Sequence, residues 1–131
     1  MNIEGKLLEA AWQARENAYA PYSNFKVGAA LLTTDGLIFG GCNVENISYG
    51  LTNCAERVAI GAAVAAGAGP FAEVAVVADT TEPISPCGAC RQVLAEFGVK
   101  SIILANRVSI IRFSLDELLP RASTGILDST T

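Results

Sequence analysis

Three cysteines in this sequence have the spacing of metal ligands. Cys54 stands in TNCAER (52–57), and Cys87 and Cys90 stand in SPCGACR (85–91), at the predicted starts of two helices. Residues three apart share one face of a helix, so the thiols of Cys87 and Cys90 can meet at one point. The unpaired N–H groups of a helix N-terminus favour thiolates there. Three thiolates leave one position of a tetrahedral zinc site open, which is typical of a catalytic zinc.

Glu56 and Arg57 follow Cys54 closely and supply the charges that such a site needs. Glu56 lies two residues beyond Cys54, so its side chain points about half a turn away and can stand beside the metal as a proton carrier. Zn²⁺ with three thiolates is a net anion, which Arg57 and the two helix starts can neutralise. The pattern therefore predicts attack of a zinc-bound hydroxide on an electrophilic carbon.

Two other interpretations use the same cysteines. Cys87 and Cys90 alone have the Cys-x-x-Cys spacing of a thiol redox pair. Cys42 could complete a closed, non-catalytic zinc site as a fourth ligand. Cys42, however, stands in an apolar predicted strand, where a cysteine is usually a small buried hydrophobe. The joint pattern of Cys-x-Glu at one helix start and Pro-Cys-x-x-Cys at another favours the catalytic zinc.

Composition excludes several classes of function. The 131 residues include four cysteines and no histidine, so Ser/His pairs, Cys/His pairs and His-ligated metals are excluded. The 9 basic and 13 acidic side chains give a net charge of −4, with no run of Lys or Arg. This balance argues against a nucleic acid polymer as partner.

The chain also lacks the patterns of export and membrane insertion. It opens on Met1-Asn2-Ile3-Glu4, without a basic segment or an apolar segment, so we expect no secretory signal. The charge-free stretch from Val58 to Ala72 is rich in Ala and Gly and is shorter than the about 20 apolar residues of a membrane span. We expect a cytoplasmic protein with no membrane partner, whose cysteines bind metal or act in catalysis.

The elements that must position these residues follow from hydrophobic periodicity and from turn residues. Ser85 and Pro86 are expected as the N-cap and first residue of the third helix. The order α-β-β-α-β-α-β-β-α predicts an α/β fold, with a central five-stranded mixed sheet and helices on its faces. We expect one domain over residues 1–131, with a tail from about residue 121 that is disordered. The predicted elements are helices at 3–19, 52–66, 87–97 and 114–120 and strands at 25–33, 37–44, 73–78, 101–105 and 108–113.

The sequence resembles the small homotetrameric zinc-dependent cytidine deaminases, of the cytidine/deoxycytidylate deaminase superfamily, from about Leu7 to Pro120. The segments that carry the resemblance are APYSNFKVGAA (20–30), GCNVEN (41–46), CAER (54–57), SPCGACRQ (85–92) and ELLP (117–120). It implies the three-layer fold of those enzymes and a homotetramer with sites at subunit boundaries. It also implies a hydrolase of pyrimidine salvage, which converts cytidine and deoxycytidine to uridine and deoxyuridine with release of ammonia.

The resemblance also implies roles for individual residues. Cys54, Cys87 and Cys90 would hold one zinc ion per chain, and Glu56 would shuttle protons as a zinc-bound hydroxide attacks C4 of the base. Arg57 would pair with a zinc-bound sulfur. The residues implied to contact substrate are Phe25, packed on the nucleoside, Asn43 and Glu45, on a ribose hydroxyl, and Ala55, whose backbone reads the base edge.

One position departs from the family pattern. Ser123 stands where the family usually has an aromatic residue that reaches into a neighbouring subunit's site. The missing ring would weaken stacking on the base, an interaction worth about 0.5–1.5 kcal/mol. A deaminase of cytosine-containing antibiotics such as blasticidin S has similar length and motifs and is the alternative within the same chemistry. The intact Asn43-Val44-Glu45-Asn46 segment favours cytidine.

Overall fold

A computed structural model describes residues 2–123 of the chain, and within them the predicted order of helices and strands is confirmed. Residues 124–131, most of the tail predicted to be disordered, lie outside the described residues. The helices are α1 (Ile3–Arg15), α2 (Ala55–Ala65), α3 (Gly88–Glu96) and α4 (Leu115–Leu118), with a 3₁₀ turn at Tyr49–Leu51. The strands are β1 (Val27–Thr33), β2 (Ile38–Cys42), β3 (Phe71–Ala78), β4 (Ser101–Ala105) and β5 (Ile110–Ser114).

The five strands form one mixed sheet in the order β2-β1-β3-β4-β5. β3 and β4 are parallel, because α3 carries the chain back across the sheet between them. The other neighbours are antiparallel, and β1 and β2 form a hairpin that turns at Asp35-Gly36. The predicted mixed five-stranded α/β sheet is confirmed.

Helices cover both faces of the sheet, which gives three layers. On one face, Leu7 and Ala11 of α1 are fully buried against the sheet. On the other face, the buried side of α2 and Leu94 of α3 pack on the alternate residues of the strands. Leu115, the first residue of α4, joins this second cluster. The second face therefore holds both helices whose N-termini carry the cysteines.

A glycine lets α2 lie unusually close to the edge strand β2. A Cβ at Gly41 would clash with the backbone N–H of Ala59 and would lie 2.5 Å from the carbonyl oxygen of Ala55. Only glycine allows this approach of a helix to a strand without displacing the helix. Because Ala55 is the first residue of α2, Gly41 also determines how close the N-terminus of α2 lies to β2 at the candidate site.

Two helix starts differ from the sequence prediction. α2 begins at Ala55 rather than near residue 52, because Asn53 pairs with Val44 in an isolated β-bridge. The prediction of Ser85 as N-cap and Pro86 as first helical residue is wrong, since Cys87 is the N-cap of α3. Pro86 is buried in the preceding extended segment, where its carbonyl accepts a hydrogen bond from Arg91 Nε at 2.9 Å.

The first helix also ends earlier than predicted, at Arg15 rather than Tyr19. Tyr19 instead pairs with Val44, and its carbonyl accepts a hydrogen bond from the N–H of Glu45 at 2.9 Å. Because Tyr19 makes these bonds, it cannot continue α1. The pairing also brings the segment before β1 against the segment after β2. Among residues 2–123, no helix has the length and apolar character needed to cross a bilayer.

Candidate active site

The thiols of Cys54, Cys87 and Cys90 form a cluster at the N-termini of α2 and α3. The Sγ atoms of Cys54 and Cys87 lie 3.9 Å apart, those of Cys87 and Cys90 lie 3.3 Å apart, and all three fall within 4.8 Å of one another. Thiolates bound to one Zn²⁺ at about 2.3 Å stand about 3.8 Å apart in a tetrahedron. The donor set therefore fits a zinc ion with three protein ligands and one open position.

The helix starts place these thiols. Cys54 and Cys87 are the N-cap residues of α2 and α3, and Cys90 lies in the first turn of α3. The backbone N–H of Cys90 donates to the Sγ of Cys87 at 3.4 Å, so one thiol already satisfies an unpaired N–H of the helix. Two helix N-termini thus converge on the cluster, and their positive ends favour its negative charge.

Charge on the cluster is set by two neighbours of Cys54. A hydrogen bond from Cys90 and the Arg57 guanidinium, whose Nη2 donates to Sγ at 3.2 Å, lower the pKa of Cys54 to about 5. The hydrogen bond that Cys90 makes with Cys54, together with burial, raises the pKa of Cys90. Cys54 is therefore a thiolate at neutral pH and is ready to bind a metal.

Glu56 is a buried carboxyl group beside the cluster. It lies in the first turn of α2 and is only 4% exposed. Burial raises its pKa, because the charged form loses hydration. Among the described residues, the group of side chains that could jointly hold a metal contains no carboxylate. Glu56 therefore stands next to the ligands as a group that binds a proton more readily than an ordinary glutamate.

A cavity of about 230 Å³ opens in front of the thiols. It brings together six of the predicted site residues, namely Phe25, Asn43, Cys54, Ala55, Glu56 and Cys87. The side chains of Thr52, Ile84 and Ser85 also line it, and the sequence interpretation missed them as site residues. Thr52 and Ser85 each stand two residues before an N-cap cysteine. That shared position is the signal that could have identified them.

Asn43 is held by the segment that leads into β1. Its Oδ1 accepts from the N–H of Val27 at 2.9 Å, and its Nδ2 donates to the carbonyl of Phe25 at 2.7 Å. Asn43 is 8% exposed, so these bonds fix its amide plane at the cavity wall. A second Nδ2 hydrogen remains for a ligand.

Glu45 lies in a neighbouring cavity, also of about 230 Å³, rather than in the cavity with the thiols. Thr52 lines both cavities and so marks where they adjoin. Hydrogen bonds from the Ser23 side chain and from the backbone N–H groups of Tyr22 and Ser23 lower the pKa of Glu45. Glu45 is thus a carboxylate that faces a space next to the metal-binding cavity.

Two residues singled out from the sequence lie elsewhere. Cys42 is the last residue of β2, where it is half-buried and outside the thiol cluster. It lines a separate groove between β2, α1 and α2. Ser123 lines a cavity formed with residues of α3 and α4, and its carbonyl accepts from Gln92 Nε2 at 3.0 Å.

Three thiols arranged for zinc, two of which share a cavity with a buried carboxyl group, fit the class of zinc-dependent hydrolases. Comparison with known proteins narrows this class. Residues 1–106 match the family described as the cytidine and deoxycytidylate deaminase zinc-binding region. The chain therefore belongs to the cytidine and deoxycytidylate deaminase family, and the predicted zinc-dependent deaminase class and zinc cofactor are confirmed.

Individual relatives agree with this assignment. The chain is 53% identical over 125 residues to a cytidine deaminase of Sporosarcina psychrophila, covering 93% of this chain and 91% of that protein. It is 52% identical over 121 residues to a cytidine deaminase of Halalkalibacterium halodurans, covering 90% of this chain and 92% of that protein. Among solved structures, the cytidine deaminase of Burkholderia pseudomallei matches with a TM-score of 0.88 and 56% identity, covering 94% of this chain and 100% of that one. The cytidine deaminase of Mycobacterium tuberculosis matches with a TM-score of 0.80 and 43% identity, covering 93% of this chain and 97% of that one.

Proposed function

We propose that the chain hydrolyses cytidine and deoxycytidine to uridine and deoxyuridine with release of ammonia, as a step of pyrimidine salvage. The observation that carries this proposal is the buried Glu56 carboxyl group in one cavity with two of the three clustered thiols and with Asn43. A base near the thiols and a sugar near the outer wall would fill the two adjoining cavities.

The metal is held by Cys54, Cys87 and Cys90 in this proposal, with Arg57 balancing the thiolate of Cys54. When bound, Zn²⁺ supplies Lewis-acid activation of water near neutral pH. Arg57 keeps Cys54 deprotonated and holds it toward the cluster, so the ligand geometry exists before the metal arrives.

Glu56 carries the protons. It accepts a proton from the attacking water and gives one to N3 of the cytosine ring as oxygen adds to C4. It then takes the proton of the new C4 hydroxyl and transfers it to the amine on C4, the C4–N bond breaks, and ammonia leaves while the C4 carbonyl forms. A raised pKa suits both halves of this cycle, because the buried carboxylate takes up a proton more readily than an ordinary glutamate and then has the acid form that donates to N3 and to the amine.

Four residues bind and orient the nucleoside in this proposal. Phe25, 41% exposed at the cavity mouth, packs on the nucleoside. Ala55 is the first residue of α2, so its backbone N–H lacks a helical partner and can donate to the base edge. The free Nδ2 hydrogen of Asn43 and an acceptor site on Glu45 together match one sugar hydroxyl, which both accepts and donates.

We also propose that residues 1–131 form a single domain that assembles as a homotetramer in the cytoplasm. The two apolar clusters on opposite faces of one sheet support a single domain. Exposed apolar side chains near the Glu45 cavity support assembly, namely Tyr22, Val44, Ile47, Tyr49 and Leu51. The free thiols of all four cysteines suit a reducing compartment. Sedimentation as a monomer at micromolar protein would refute the tetramer.

The proposed activity is tested by following the loss of cytidine absorbance beside a determination of bound zinc. We expect deamination and one zinc per chain, with zinc lost in Cys90→Ser and kept in Cys42→Ser as the matched control. Blasticidin S is assayed in parallel, because a deaminase of that antibiotic would use the same chemistry. Turnover of blasticidin S without turnover of cytidine would overturn the proposed substrate.

A further inference from the structure

The turn before β1 folds around the Glu45 carboxylate. Oε1 of Glu45 accepts hydrogen bonds from the backbone N–H of Tyr22 at 2.9 Å and of Ser23 at 3.2 Å, and the Ser23 hydroxyl donates to Oε2. Asn24 closes the turn in the left-handed conformation, with φ of 58°, and its N–H bonds to the carbonyl of Ala20. The turn therefore fixes the carboxylate from one side.

The same Ser23 hydroxyl has a second partner in Phe25. Its oxygen accepts a hydrogen bond from the backbone N–H of Phe25 at 3.0 Å. The carbonyl of Phe25 accepts from Asn43, so both backbone polar groups of Phe25 are held by side chains. One hydroxyl thus links the ring proposed to pack on the nucleoside with the carboxylate proposed to bind its sugar.

We propose that Ser23 is a positioning residue for sugar recognition, which orients Oε2 of Glu45 toward the sugar hydroxyl and keeps that carboxylate in register with Phe25. The inference rests on the proposed function. A carboxylate accepts hydrogen bonds at about four lone-pair positions. The turn occupies three of them, two on Oε1 and one on Oε2. The position left on Oε2 has a direction that the Ser23 bond sets, and it accepts one hydroxyl proton.

The charge of the Glu45 carboxylate depends on the hydrogen bond from the Ser23 hydroxyl. A hydroxyl that donates to the carboxylate stabilises its charged form, which lowers the pKa of Glu45. Among the described residues lining this cavity, the other titratable side chains are Tyr22 and Tyr49, and none is a lysine or arginine. Without the Ser23 hydroxyl, no cation in this lining would replace it, and Oε2 would be free to rotate and to bind water instead.

The test compares two nucleosides on zinc-loaded Ser23→Ala enzyme: cytidine, and 2′,3′-dideoxycytidine, which lacks both ring hydroxyls of the sugar. A hydrogen bond to a charged group is worth enough to change affinity by about tenfold or more. We expect the KM for cytidine to rise about tenfold, the KM for the dideoxy compound to change less than about twofold, and kcat to stay within about twofold. Ser23→Thr, which keeps the hydroxyl, should restore the KM for cytidine.

Two variants of the same shape and one control outside the site separate the role of the Ser23 hydroxyl from any effect on folding. Ser23→Thr and Ser23→Val have nearly the same shape and differ in the hydroxyl, so their comparison applies even where Ser23→Ala fails to fold. In a Glu45→Gln background, loss of the Ser23 hydroxyl should add little. Ser101→Ala removes a Ser–Glu hydrogen bond outside the site, from Ser101 to Oε2 of Glu73 at 2.7 Å, and should leave both KM values unchanged.

Each outcome bears on a different claim. Equal rises in KM for both nucleosides, or equal KM values in Ser23→Thr and Ser23→Val, would overturn the role of Ser23. Wild-type enzyme that deaminates neither nucleoside would instead overturn the proposed function on which the role rests.

Discussion

Nη2 of Arg57 donates a hydrogen bond to Sγ of Cys54 at 3.2 Å, one helical turn away along α2. The thiolate and its counter-ion are therefore on the same helix, and the first turn of α2 also carries Glu56. A single short segment thus carries one proposed metal ligand, the proposed proton carrier and the charge that stabilises the Cys54 thiolate. The other two ligands come from α3, so the site depends on how closely the two helix starts approach.

Replacing Arg57 with Gln should weaken zinc binding. Without the guanidinium the pKa of Cys54 rises, so protons compete better with the metal at neutral pH. Changes to groups that hold metal ligands typically cost about 10–100-fold in affinity, and we expect a loss in that range. Competition with a chromophoric chelator measures it. Arg57→Lys, which keeps the charge, should lose less, and unchanged affinity in Arg57→Gln would contradict the role of the ion pair.

The KM for cytidine should stay constant into mild acid. In the proposed function Glu45 binds the sugar hydroxyl as a carboxylate, and its pKa is lowered from the ordinary value of a glutamate. Because the lowered pKa keeps the carboxylate charged, KM should rise only when the pH falls below about 4.3, the ordinary value. The ratio of KM for cytidine to KM for 2′,3′-dideoxycytidine, measured across pH, isolates this titration. A rise in that ratio already between about pH 7 and 5 would show a raised pKa and contradict the prediction.

Gly41→Ala should destabilise the protein and disturb the site. The added Cβ would meet backbone atoms of Ala55 and Ala59, so α2 must move away from β2. Overpacking of this kind typically costs about 1–3 kcal/mol. Gly61→Ala is the matched control, since a Cβ at this exposed position of α2 meets nothing within 4 Å. Alanine there should stabilise the helix by about 0.5–1 kcal/mol. Thermal unfolding distinguishes the two, and similar losses in both variants would contradict the close approach at Gly41.

Much of the fold and the metal site could be predicted from sequence, because the controlling interactions are local. Within residues 2–123, hydrophobic periodicity and turn residues located the four α-helices and the five strands, and the cysteines lie at helix starts as their spacing predicted. The start of α3 could not be predicted from Ser85 and Pro86. The start of α3 depends on hydrogen bonds of Arg91, which donates to the carbonyl of Pro86 and to the carbonyl of the distant Leu118.

The hydrogen bonds that position Glu45 could not be predicted for a similar reason. Its segment GCNVEN (41–46) places Asn43 and Glu45 close together in the chain but does not indicate their partners. The turn at Tyr22 and Ser23, about twenty residues earlier in the chain, binds the Glu45 carboxylate in the cavity that adjoins the one lined by Asn43. Bonds between segments far apart in sequence leave no periodic signal, so only the folded chain reveals them.

The proposed function requires that Glu56 carries protons and does not hold the metal. Glu56→Gln is nearly isosteric and removes the titrating group, so zinc content and turnover should separate in this variant. Paired measurement of bound zinc and of kcat for cytidine tests this role of Glu56. We predict one zinc per chain, as in the wild type, with kcat reduced by about 10²–10⁴-fold, the usual contribution of general acid–base catalysis. A variant that has lost its zinc, or one that retains both zinc and near wild-type kcat, would contradict the account.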